Sequence, residues 1–148
     1  MSTAVRVASL VAGLKQRGST VQQELDRLAH MHGLYATAPL TFRVGDLSLI
    51  TRGMQRLREN PPTELAGSPI AEFVDLAKGG PEMLPTEGIL MRTEADDRVI
   101  VRPSGTEPKL KCYLEVVLPV LDGDPVPRED AAQRLQQIST QLREVVGL

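Results

Sequence analysis

The stretch Arg98–Val117, RVIVRPSGTEPKLKCYLEVV, constrains the fold more than any other part of the chain. Arg98–Val101 is short and mostly β-branched. Leu110–Leu118 alternates, with Leu110, Cys112, Leu114, Val116 and Leu118 on one face and Lys109, Lys111, Tyr113 and Glu115 leading the other. A period of two with a wholly apolar face is the pattern of a half-buried strand in an antiparallel sheet. Between the two strands lie Arg102, Pro103, Ser104, Gly105, Thr106, Glu107 and Pro108.

These loop residues suit an anion. Pro103 fixes its own φ and biases Arg102 toward extended geometry, so the arginine projects from a strand end. Gly105 permits positive φ, which would turn successive backbone N–H groups inward as a small nest. Ser104 and Thr106 add hydroxyl donors, and Arg102 supplies a planar, permanently charged fork that matches phosphate oxygens. Lys111, on the polar face of the returning strand, adds a second positive charge. The same residue types also build ordinary strand-to-strand turns, so composition leaves a plain turn as the alternative. A helix cap at Ser104-x-x-Glu107 is disfavoured, because Pro108 opposes α geometry at Glu107 and no helical period follows.

Arg102-Pro103-Ser104-Gly105-Thr106-Glu107-Pro108-Lys109 resembles the phosphate-binding loop in the last domain of the α-D-phosphohexomutases, the family of phosphoglucomutases, phosphomannomutases and phosphoglucosamine mutases. The resemblance implies that Arg102, Ser104, Gly105 and Thr106 hold the substrate's phosphate, joined by Lys111 on the next strand. Lysine there, rather than arginine, resembles the branch of phosphoglucomutases, phosphomannomutases and phosphopentomutases. Ser2-Thr3-Ala4 and Gly33-Leu34-Tyr35 look like parts of the family's third domain. Residues 1–38 are therefore expected to be a helical remnant of that domain, and residues 39–148 the C-terminal phosphate-binding domain.

Helical and strand periods along the chain agree with such a domain. Val7, Leu10, Val11 and Leu14 make a helical stripe over Thr3–Gln16 that Gly18 stops. Ser19 or Thr20 then caps a second helix, which should bury Val21, Leu25 and Leu28 and end near Gly33. Tyr35–Val44 reads as a linker with some strand. Asp46 caps a third helix bearing Leu47, Ile50, Met54 and Leu57, stopped by Asn60-Pro61-Pro62. Gly53 either weakens that helix by about 1 kcal/mol relative to alanine or marks a close contact. Pro69–Leu76 and Ile89–Thr93 read as strands, with a loop over Lys78–Thr86. A turn at Ala95-Asp96-Asp97 leads into the central hairpin. Ala131, Leu135, Ile138, Leu142 and Val145 give a final amphipathic helix. The expected class is α+β: about four antiparallel strands with helices on one face, preceded by a helical hairpin. The resemblance implies a TATA-binding-protein-like outline for the C-terminal domain.

Charge and composition remove several functions. With 17 Lys and Arg against 19 Asp and Glu, the net charge of −2 argues against a nucleic-acid binder or a polybasic membrane surface. Aromatic residues at 3% offer no stacking platform for single strands. One cysteine, Cys112, rules out an internal disulfide, fits a cytoplasmic setting and reads as a buried, inert thiol. Neither a signal peptide nor a membrane-spanning run is expected from this sequence. His30 and His32 diverge on a helix end, which makes a shared metal a poor reading. Asp122-Gly123-Asp124-Pro125-Val126-Pro127-Arg128 looks like the mutases' Mg²⁺ loop, but Val126 and Pro127 stand where the third carboxylate belongs, so it reads as a turn.

The resembling enzymes interconvert hexose 1-phosphate and 6-phosphate through a phosphoserine, with Mg²⁺ at that serine. The serine, metal and sugar-recognition loops of that family do not occur in these 148 residues. The resemblance thus implies a phosphosugar-binding part of an isomerase of carbohydrate metabolism, inactive alone, with Mg²⁺ held outside this chain by the N-terminal mutase domains. An exposed stripe on the first helix would offer a surface for self-association. The reading from a different class is a non-catalytic α+β protein-interaction module in which the loop is only a turn.

Overall fold

The computed structural model describes residues 2–80 and 84–148. The helices are α1 (Ser2–Gln16), α2 (Val21–His32), α3 (Leu47–Glu59) and α4 (Arg128–Val146). The strands are β1 (Leu34–Arg43), β2 (Glu64–Leu65), β3 (Ser68–Asp75), β4 (Ile89–Thr93), β5 (Arg98–Pro103) and β6 (Lys109–Leu118). They pack as two units. One holds the chain up to Leu34 together with Leu118–Pro127; the other holds Tyr35–Val117 and Arg128–Leu148.

In the first unit, α1 ends in a left-handed turn at Gly18, φ 69°, and the Ser19 N–H returns to the Leu14 carbonyl at 2.9 Å. Thr20 then caps α2 in a full capping box. Its hydroxyl accepts from the Gln23 N–H, and the Gln23 side chain accepts from the Thr20 N–H. Gly33, φ 89°, closes α2. The expectation that α2 buries Val21, Leu25 and Leu28 fails: they are 44%, 50% and 38% exposed, and Ala29 is the buried residue instead. The stripe is apolar, but nothing among the described residues covers it. On α1, Val7, Leu10 and Val11 also lie open, and Leu14 alone of that stripe is buried.

The second unit is an α+β layer structure built on one sheet of order β1-β6-β5-β4-β3-β2. Pairs β2–β3, β3–β4, β4–β5 and β5–β6 are antiparallel. Among the described residues six strands are present where about four were expected. The added ones are the two-residue β2 and β1, the segment read as a linker with some strand. Leu40 and Phe42 are buried between exposed Thr41 and Arg43, a period of two that Pro39 does not interrupt because an edge strand spares it one ladder donor. The Val44 N–H donates to the Pro108 carbonyl at 3.1 Å, which sets Arg43 beside Lys109. The Lys78–Thr86 loop lies partly outside the described residues; its ends meet where Leu76 and Gly88 are joined by a 2.9 Å backbone bond.

One sheet face is dry. Ile89, Met91, Val99, Val101, Leu110, Cys112, Leu114 and Val116 are all at most 2% exposed, and α3 and α4 cover them. Asp46 caps α3, accepting from the Ser48 N–H at 2.8 Å. Gly53 marks the close approach of the two helices, since a Cβ there would stand 2.9 Å from Val146 Cγ1. On α4 the buried set is Ala131, Leu135, Ile138, Leu142 and Val146. Val146, not Val145, completes the face, because the last step is four residues rather than three. The burial of Asp97 was not anticipated from the sequence. It is 1% exposed in the β4–β5 turn and takes a forked contact from Arg134 of α4 at 2.6–3.0 Å and the Thr93 hydroxyl at 3.0 Å.

A candidate phosphate-binding loop between β5 and β6

The β5–β6 ladder places Arg102 directly opposite Lys111, and Pro103 opposite Leu110. Alternation sends Val101, Leu110 and Cys112 to the helix-covered face, so Arg102 and Lys111 stand on the other, open face. Neither has a carboxylate partner among the described residues. Elsewhere on the hairpin the basic residues are paired: Arg98 with Glu115 at 3.1 Å, and Lys109 with Glu107 at 2.5 Å. Two cations facing each other with no carboxylate in direct ion-pair contact repel, a cost that a bound anion would reverse.

The loop itself is pinned at both ends. The Ser104 N–H donates to the Lys109 carbonyl at 2.9 Å, and the Lys109 N–H to the Glu107 carbonyl at 2.7 Å. The amides of Gly105, Thr106 and Glu107 donate to no protein acceptor among the described residues. Gly105 does not adopt the positive φ expected of it. The turn closes through Ser104 and Lys109 instead, so a nest built on a left-handed glycine is not its geometry. What glycine contributes is room: a Cβ there would meet nothing within 4 Å, leaving the main chain open to close approach.

Ser104, Gly105 and Thr106 line one hollow of about 390 Å³ with Leu47, Glu107 and Pro108. An adjoining hollow of about 440 Å³ shares Leu47 and Ser104 and runs over Ile50 and Met54 to the Arg58–Glu87 ion pair. The five residues singled out in the sequence therefore cluster at one end of the sheet but divide across its two faces. The hydroxyls and the glycine border the α3 side, and Arg102 and Lys111 border the open side.

One residue was missed. Arg43, at the end of β1 and beside Lys109, bears on Glu107 electrostatically. The Glu107 carboxyl is held below its usual range by its hydrogen bond to Lys109, which outweighs an opposing effect of burial; the charges of Lys109, Lys111 and Arg43 lower it further. The alternation Leu40, Phe42 carried the signal for Arg43, hidden by reading that segment as a linker. The other candidate motifs resolve into structure. Both His30 ring nitrogens meet backbone carbonyls, those of Asp26 at 2.8 Å and Asp124 at 3.0 Å, so the Asp122–Asp124 turn is engaged through its main chain. Among the described residues no three His, Cys, Asp or Glu side chains gather as metal ligands.

Residues 54–119, which span the loop and most of the sheet, match the family model described as phosphoglucomutase/phosphomannomutase, C-terminal domain. This part of the chain belongs to the phosphoglucomutase/phosphomannomutase family. A probable phosphomannomutase of Haemophilus influenzae is 38% identical over 115 residues, covering 78% of this chain and 23% of its own. Human phosphopentomutase is 25% identical over 163 residues, covering 99% and 25% respectively. A phosphoglucomutase from Paramecium, solved in an open form, superposes with a TM-score of 0.53 at 15% identity over 87% of this chain and 24% of that one, a likeness of fold. The chain thus spans about a quarter of the length of these relatives. No helix among the described residues is long and apolar enough to cross a membrane.

Proposed function

We propose that the β5–β6 loop holds the non-reacting phosphate of a phosphosugar for an enzyme that interconverts hexose 1-phosphate and 6-phosphate through a phosphoserine. Arg102 and Lys111 supply charge; Ser104, Gly105 and Thr106 supply hydroxyl and backbone donors. The observation that carries this reading is the opposed Arg102–Lys111 couple, without an ion-pair partner among the described residues, beside amides that have no protein acceptor among them. A remote phosphate grip orients the reacting end and helps drive closure around it. The phosphoserine and its Mg²⁺ belong, on this reading, to mutase domains outside these 148 residues, which alone do not catalyse. A cytoplasmic setting suits phosphosugar substrates.

The test is a titration with glucose 1-phosphate and with inorganic phosphate, followed at the Gly105 and Thr106 amide NMR signals. A lone loop is expected to bind in the millimolar range, about 4 kcal/mol. The pair Arg102→Ala, Lys111→Ala should abolish the response, and a wild-type chain with no loop-localised shift at tens of millimolar would sink the reading. A second reading, an interaction surface, is favoured by the open apolar residues of α1 and α2, among them Leu10 at 50%, Leu25 at 50% and Met31 at 60% exposure. We assign that surface to the preceding part of a mutase, or to a second copy when that part is missing. Sedimentation of wild type against Leu10→Glu checks it: loss of self-association in the variant supports it, and a monomeric wild type refutes the second-copy arm.

A further inference from the structure

We propose that Glu107 is a built-in counter-anion of the loop, a carboxylate that occupies the cationic patch until a phosphate dianion takes its place. The proposal rests on the phosphate reading above and adds a residue that sets the strength of the grip. Four cations from three adjacent strands meet at this end of the sheet: Arg43 of β1, Lys109 and Lys111 of β6, and Arg102 of β5. Glu107 reaches Lys109 at 2.5 Å and feels the charges of Lys111 and Arg43. It also lines the hollow that holds Ser104, Gly105 and Thr106.

The pair is built so that the carboxylate is the partner able to leave. The Glu107 side chain is 53% exposed, whereas that of Lys109 is 15% exposed. Lys109 is held in a strand; Glu107 sits in the loop, two residues past the glycine that leaves the main chain open. An exposed ion pair contributes little, so its exchange for a dianion with more acceptors is favourable. Until it moves, the carboxylate repels an arriving phosphate and discharges part of the patch. The loop therefore binds its ligand less tightly than its cations alone would, and a ligand that must leave or turn around is released sooner.

The experiment compares wild type, Glu107→Gln, Glu107→Asp and Glu115→Gln of the full chain. Inorganic phosphate replaces chloride at pH 8 and a constant ionic strength of about 0.1 M, with the Gly105 and Thr106 amides as readout and a thermal melt of each variant. Glu107→Gln should bind about fivefold tighter, as expected for removing one negative charge within several ångström of a dianion. Glu107→Asp keeps the charge and should stay within about twofold of wild type. Glu115, about 13 Å from Lys111 along the strand, is screened at this salt, and Glu115→Gln should change little. Unchanged or weaker binding by Glu107→Gln overturns the proposal, as does equal tightening by Glu115→Gln. A wild type that binds with no gain in Glu107→Gln leaves the phosphate reading standing and removes this one. No loop response in either chain removes both.

Discussion

Gly53→Ala tests the packing that carries the loop, because here two ordinary rules give opposite signs. In an exposed helix, replacing a mid-helix glycine by alanine stabilises by about 1 kcal/mol. At Gly53 the new Cβ would stand 2.9 Å from Val146 Cγ1, and 3.5 Å from both the Val146 carbonyl and Leu148 Cδ1. Val146 is 1% exposed and Met54 beside it 2%, so neither side can yield into solvent. Overpacking such a contact costs about 1–3 kcal/mol. The net expectation is a loss of about 1 kcal/mol, or about 2–4 °C in Tm for a chain of this size. Gly13 of α1 is the control: its nearest neighbour would be the flexible Arg17 guanidinium at 3.4 Å, so Gly13→Ala should not destabilise. Urea and thermal melts of the three chains decide it. A Gly53→Ala chain more stable than wild type would mean that α3 and α4 do not meet as described, and the hollow beside Ser104 would lose its wall.

Three further outcomes follow from particular contacts. Arg134→Ala strips the buried Asp97 carboxylate of its charge partner and should cost about 3 kcal/mol, more than Asp97→Asn, which keeps an acceptor for Arg134 and Thr93. The reverse order in urea melts would refute the assignment. His30 should titrate above the ordinary histidine value, because the Asp26 and then the Asp124 carbonyls favour the doubly protonated ring. A raised folded value means the stabilisation is complete below the unfolded pKa and fades as pH rises through the folded one, so an NMR titration placing folded His30 below the urea-unfolded chain would contradict it. Cys112, 1% exposed with its thiol pushed up to about 12 by burial, should resist thiol reagents at pH 8 until the chain unfolds; rapid labelling of the native protein would disprove the burial.

What the sequence disclosed depended on how local the responsible physics is. Caps at Thr20 and Asp46, the stop at Gly33 and the β5–β6 hairpin were legible because each is set by residues within a few positions. The β1 edge strand was legible only in part, as a linker with some strand, since its pairing with β6 joins segments far apart in the chain. Burial on α2 was misjudged for a different reason. An apolar stripe says that a face wants cover, not that cover is present, and Leu25 lies half open. The Asp97–Arg134 clamp had no signal, because a charged turn residue ordinarily faces water.

The loop shows the same split at finer scale. Residue types named the anion chemistry, yet the strand alternation that makes Arg102 and Lys111 neighbours also turns them away from the α3 side, where Ser104 and Thr106 border their hollow. A phosphate engaging both sets must therefore sit over the tip of the hairpin, against the main chain of Gly105 and Thr106. That geometry makes the absent Cβ at position 105 decisive. Gly105→Ala needs no strained φ and meets no neighbour within 4 Å, so the fold should tolerate it with an unchanged melt. A methyl group at the tip would nevertheless stand where the ligand approaches the main chain, and phosphate affinity should fall at least severalfold. If Gly105→Ala binds phosphate as wild type does, the ligand does not cross the tip, and the two halves of the constellation do not act on one anion.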